Sequence, residues 1–132
     1  MDNRKQQIEI ALIHGYINLC MITYEGMTLP LNRDDVDNHL YGVPPRISKL
    51  RPKSTHIEKV PTYTNDLNEI RLVETHLITI HKFDDYVFAL NKILFRDSEL
   101  HPESCSHVYN TVYASALQKC EAILRTMGKW EE

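Results

Sequence analysis

Ser115-Ala116-Leu117-Gln118-Lys119-Cys120-Glu121-Ala122-Ile123-Leu124-Arg125-Thr126-Met127-Gly128 is the most sharply patterned stretch of the chain. Leu117, Cys120, Ile123, Leu124 and Met127 recur at the spacing of one face of a 3.6-residue helix, with Gln118, Lys119, Glu121 and Arg125 mainly on the other. Ser115 and Gln118 stand three apart, the spacing of a capping box that satisfies two N–H groups lacking intrahelical partners. Gly128 supplies a residue at ease in the left-handed conformation that ends helices. Start, face and stop agree, so this segment is read as an amphipathic helix against which the other elements pack.

Working outward, a helix is expected over about 84–95, where Val87, Leu90 and Leu94 share a face and Asp84 and Asp85 suit the positive end of the helix dipole. Another begins near Asp66, whose carboxylate with Glu69 repeats the capping logic, and Leu67, Ile70, Glu74 and Leu77 fall on one line. Residues 3–14 form a first helix, with Asn3 as cap and Gly15 as stop. Tyr16 to Tyr24 is rich in β-branched, apolar and aromatic residues and is the best strand. Met27 to Leu31 returns after the Glu25-Gly26 turn until Pro30 interrupts the ladder, and residues 105–113 are read as extended. From about Asn32 to Pro61 no period survives, and four prolines fall within residues 44–61. A connection this long is usually functional, a partner contact, or disordered. The fold class is therefore α+β: a small, mostly antiparallel sheet packed by three to four helices, with a long irregular segment at 32–61.

The bulk numbers bound the function. A chain of 132 residues is the size of one domain, here taken as residues 1–132. Fifteen basic against eighteen acidic residues leave no excess to attract an extended nucleic acid. The apolar runs are too short to span a bilayer, and the charged N-terminus lacks a signal core, so membrane association is not expected and a cytoplasmic location is. Cys20, Cys105 and Cys120 form no closely spaced pair and read as reduced thiols, with Cys20 and Cys120 in the core.

Two stretches carry a resemblance. Tyr63-Thr64-Asn65-Asp66-Leu67-Asn68, and Ala114 to Trp130 read as Ala-Ser-Ala-x-Gln-Lys-Cys-Glu-Ala-x-Leu-Arg-Thr-x-Gly-x-Trp, resemble small proteins encoded by tailed phages and prophages, loosely the phage α-β-α sandwich type. In that pattern Thr, Arg and Ala are usual where this chain has Ser115, Lys119 and Cys120, all compatible with one helix. The family has no general assigned activity. The resemblance implies a phage accessory protein in the cytoplasm of a bacterial host, of a kind that includes antagonists of host defence. Residues 32–61 have no counterpart in the resemblance.

Candidate chemistry is sparse. Arg46, Lys49, Arg51 and Lys53 cluster with His56, and Lys59 follows, while Tyr41 and Tyr63 stand at the margins. Arginine suits bidentate phosphate capture and tyrosine can stack on a base, so one reading of these residues is a binding edge for a nucleotide signalling molecule. An acidic protein partner is the other reading, and a solvated loop the plain one. An exposed apolar patch near Val43, Ile47 and Leu50 would favour a protein partner or a homodimer over a nucleotide. His101, Cys105 and His107, with Glu99 or Glu103, carry proper zinc donors at a spacing that matches no established site; a small zinc hydrolase built on them is the rival function. Asp34, Asp35, Asp37 and His39 lack the glycine and terminal glutamate of a calcium loop. His76 and His81 are not on one helical face, and Cys120 lies on the apolar stripe, where a thiol is inert. No phosphate loop, nucleophile elbow or dinucleotide fingerprint is present. The expectation is a non-enzymatic inhibitor or sequestering protein without cofactor, binding a host protein or a nucleotide.

Overall fold

The computed structural model describes residues 1–32, 38–98 and 114–132. It is an α+β fold with five α-helices and a four-stranded antiparallel sheet among the described residues, and the chain forms two compact units, 2–62 and 63–132.

The first unit holds the sheet. Helix α1 (Asn3–His14) is capped by Asp2, one residue before the expected Asn3, whose carboxylate accepts from Lys5 N–H at 2.8 Å. It ends where Gly15 takes φ 115° and the N–H groups of Gly15 and Tyr16 close back on Leu12 and Ala11. Strands β1 (Ile17–Ile22), β2 (Thr28–Leu29), β3 (His39–Val43) and β4 (Glu58–Lys59) lie in the order β2-β1-β3-β4. Ile17 pairs with Val43 but Cys20 with Tyr41, so β1 carries one extra residue, and Asn18 takes φ 53° at this bulge. Helix α1 is tied to the sheet region by Gln7, whose amide donates to Val60 and Pro61 carbonyls at 3.2 and 2.9 Å, and by Arg4, which donates to Asn38 O at 2.6 Å. Ile8, Ile10, Ala11, Met21, Leu40, Val43 and Val60 are buried. Cys20 is only half-buried.

Residues 32–61 thus supply two of the four strands, with β3 lying between β1 and β4. Between them the chain turns through the four-residue helix α2 (Pro45–Ser48), which starts at Pro45 in the first turn, where a missing N–H breaks no intrahelical hydrogen bond.

The second unit is helical. A 3₁₀ turn at Tyr63–Asn65 leads into α3 (Leu67–Thr79), capped by Asp66, which accepts from Asn68 and Glu69 N–H at 3.1 and 3.2 Å. Helices α4 (Phe83–Ser98) and α5 (Ala116–Thr126) follow. Helix α5 packs chiefly on α4 and also meets α3 and the Tyr63 turn. The capping box at Ser115 and Gln118 is formed in both directions, at 3.1 and 3.0 Å. Gly128 takes φ 70°, with Gly128 N–H on Arg125 O and Lys129 N–H on Leu124 O.

One expectation about α5 changes. Residues 119–124 are all buried, Lys119 and Glu121 included, while Leu117 is about half exposed. Both charged residues were expected on the polar face; they are buried because other helices provide partners of opposite charge. The extended segment expected at 105–113 lies outside the described residues. Among those described, no helix is long and apolar enough to cross a membrane.

Candidate functional site

The basic segment is organised by successive tight turns. N–H groups of Ile47 and Ser48 close on Pro44 O, those of Leu50 and Arg51 on Ile47 O, and that of Ser54 on Arg51 O. Ser48 Oγ donates to Gly15 O at 3.0 Å, fixing α2 to the end of α1. This places Arg46, Lys49, Arg51, Lys53, His56 and Lys59 all in exposed positions. Leu50, among them, is 83% exposed. Over 46–59 there are five Lys and Arg residues against one acidic residue, Glu58, a net of +4 with His56 neutral.

That charge is not evenly available. Arg46 donates to Glu58 Oε1, and His56 Nε2 lies 3.6 Å from the same oxygen. The Arg46 hydrogen bond holds the Glu58 carboxyl below the usual carboxylate range, helped by His56, and the same bond raises Arg46. Lys49, Arg51, Lys53 and Lys59 are left as the outward charges. Tyr41, on β3, is half-buried and is the cross-strand partner of Lys59. Tyr63 belongs to the helical unit and is fully buried, so its ring has no face to offer a ligand.

The remaining sequence candidates are dispersed. His101, Cys105 and His107, with Glu99 and Glu103, lie outside the described residues, as do Asp34, Asp35 and Asp37. Among the described residues no three His, Cys, Asp or Glu side chains are grouped to hold a metal ion. His39 sits on β3 with its ring edge-on to Tyr24 at 5.5 Å. His76 is half-buried on α3, and exposed His81 follows that helix at φ 60°. Cys120 is buried, and burial pushes its thiol up to about 12, which makes it the inert core thiol expected.

The helical unit contains two charged networks that the sequence did not announce. Glu74 of α3 accepts from the Tyr86 hydroxyl at 2.6 Å and from Lys119 Nζ at 3.4 Å, and all three residues are buried. Burial, then the adjacent carboxylate, raises the Tyr86 phenol. Glu121 accepts both ends of the Arg96 guanidinium, at 2.8 and 3.0 Å, and Arg125 Nε at 2.8 Å. Burial alone would raise the Glu121 carboxyl, but the two guanidinium hydrogen bonds together outweigh it and hold the group low. Asp97 is lowered by Arg96 and then by Gln118, which donates to it at 3.1 Å.

Each network borders a pocket. One, of about 330 Å³, is lined by Phe88, Ala89, Lys92, Ile93, Arg96 and Arg125. Its cations are engaged, Lys92 over the Phe88 ring at 4.3 Å and both arginines on Glu121. The other, of about 310 Å³, is lined by Leu67, Arg71, Glu74, Thr75, Ile78, Phe83 and Lys119. The available sequence signal for the second was Glu74, a carboxylate on an otherwise apolar helical line. No family model, curated protein or solved structure matches the chain.

Proposed function

We propose that the chain is a non-enzymatic binding protein that docks an acidic surface of a host protein through residues 46–59. The observation that carries this reading is Leu50, an exposed leucine set among the outward charges of Lys49, Arg51 and Lys53. An apolar anchor within a charged surround is the anatomy of a protein interface, while the charges speed encounter with an acidic partner. A nucleotide would need a clamp and a stacking ring. Arg46 is engaged by Glu58 and Tyr63 is buried, which leaves Arg51 and Tyr41 for those tasks. The resemblance of 63–68 and 114–130 to small phage proteins supports a host component as the partner, bound in the bacterial cytoplasm to inhibit or sequester it.

The test is affinity capture from bacterial extract with the wild type and with Lys49→Glu/Arg51→Glu/Lys53→Glu, at low and high salt, beside a thermal-shift screen with cyclic nucleotides. The proposal expects a protein retained by the wild type at low salt, released at high salt and absent from the variant. Identical captured sets would refute it. A nucleotide-induced rise in melting temperature that Arg51→Ala abolishes would replace it with the nucleotide reading.

A further inference from the structure

The pocket beside Lys119 combines charge and apolar wall in a way that the first unit's basic segment does not. Its charged lining residues are Arg71, Lys119 and Glu74, a net of +1. Glu74 is satisfied at short range by Tyr86, whereas Lys119 reaches its two oxygens only at 3.4 Å each. An ammonium has three donors, so Lys119 holds a buried charge with hydrogen-bonding capacity left over. Its side chain is 9% exposed, and buried charges are ordinarily fully paired. Arg71 is exposed and has no side-chain partner among the described residues. Leu67 and Ile78, each about half exposed, and Phe83 complete the lining with apolar surface.

We propose that this pocket binds a small amphipathic anion, a carboxylate or phosphate monoester with a compact apolar body. Arg71 and Lys119 take the anionic head, and Leu67, Ile78 and Phe83 cover the apolar part. A carboxylate's single charge neutralises the lining, a phosphate monoester brings up to one charge more, and either head supplies a further acceptor for Lys119. The volume of about 310 Å³ is at the lower end for ligand sites. The site shares no residue with 46–59 and does not depend on the function proposed for them.

Backbone amide NMR of the full chain tests this, titrated at matched ionic strength with benzoate, phenyl phosphate, benzyl alcohol and benzylamine. At least one of the two anions should shift resonances of residues 67–83 and 119, with benzylamine inert and benzyl alcohol weaker. Arg71→Ala, which alters an exposed side chain and leaves the fold intact, should weaken the anion at least tenfold. Lys49→Glu/Arg51→Glu/Lys53→Glu should leave it unchanged. Silence towards both anions, equal binding of benzyl alcohol, or undiminished binding by Arg71→Ala would each overturn the proposal. Whether benzoate or phenyl phosphate binds more tightly identifies the head group.

Discussion

Replacing Lys119 by Met removes a buried ammonium and leaves Glu74, among the described residues, with the Tyr86 hydroxyl as its remaining hydrogen-bond donor from a side chain. Breaking one side of a buried ion pair typically costs about 3–5 kcal/mol, because the surviving charge stays desolvated. Here both side chains retain slight exposure, 9% and 11%, line a pocket, and meet at 3.4 Å, which places the loss at the lower end, about 3 kcal/mol. With a urea slope of about 2 kcal/mol/M, the midpoint should fall by about 1.5 M. Trp130, the only tryptophan in the chain, lies under the Arg125 guanidinium at 5.2 Å and reports on this unit by fluorescence. Glu74→Gln keeps an acceptor for Tyr86, so Glu74→Gln/Lys119→Met should recover much of the loss, giving a coupling of about 2 kcal/mol. Replacing the whole cluster, as Glu74→Leu/Lys119→Met/Tyr86→Phe, should leave stability within about 1 kcal/mol of the wild type. If Lys119→Met shifts the midpoint by less than about 0.3 M, or the two single changes add without coupling, Lys119 and Glu74 do not act as a desolvated, coupled pair.

Three further outcomes follow from other sites. Glu121 and Asp97 have folded carboxyl values below their unfolded ones, so the stability they add is present above about pH 4 and is lost as pH falls through the folded values; Arg96→Met should cost about 1 kcal/mol at neutral pH and flatten the acid limb of a stability-against-pH curve. His81 holds the left-handed position at the end of α3, with His81 N–H on Ile78 O and Lys82 N–H on Leu77 O, the place glycine fills after α1 and α5. His81→Gly should therefore raise stability by about 1 kcal/mol in urea denaturation. Cys120, with its thiol pushed up to about 12, should resist iodoacetamide at pH 8 until the chain is unfolded, read by peptide mass mapping, whereas half-buried Cys20 reacts first of the two.

The helices were legible because their limits are written in local chemistry. Asp66, Ser115, Gly15 and Gly128 act within a few residues of themselves, and the structure places the corresponding starts and stops there. Strand β3 was not legible. His39-Leu40-Tyr41-Gly42-Val43 is short, contains a glycine, and owes its state to pairing with β1 and β4. Gly42 itself answers to a distant residue, since a Cβ there would stand 2.7 Å from Leu19 Cδ2. The same limit applied to charge. Lys119 and Glu121 looked solvent-facing by period, but their partners Glu74 and Arg96 are 45 and 25 positions away. At the candidate site, the density of basic residues at 46–59 was readable, whereas the capture of Arg46 by Glu58 and the burial of Tyr63 depend on tertiary packing.

Lysine-reactivity footprinting tests the docking claim most directly, by comparing acetylation of each lysine in buffer and in bacterial extract by mass spectrometry. Docking through residues 46–59 predicts that Lys49 and Lys53 lose reactivity in extract at low salt, and regain it at high salt, while exposed Lys82 and Lys129 are unchanged. Equal reactivity of Lys49 and Lys53 in buffer and extract, or protection confined to Lys82 and Lys129, would contradict it.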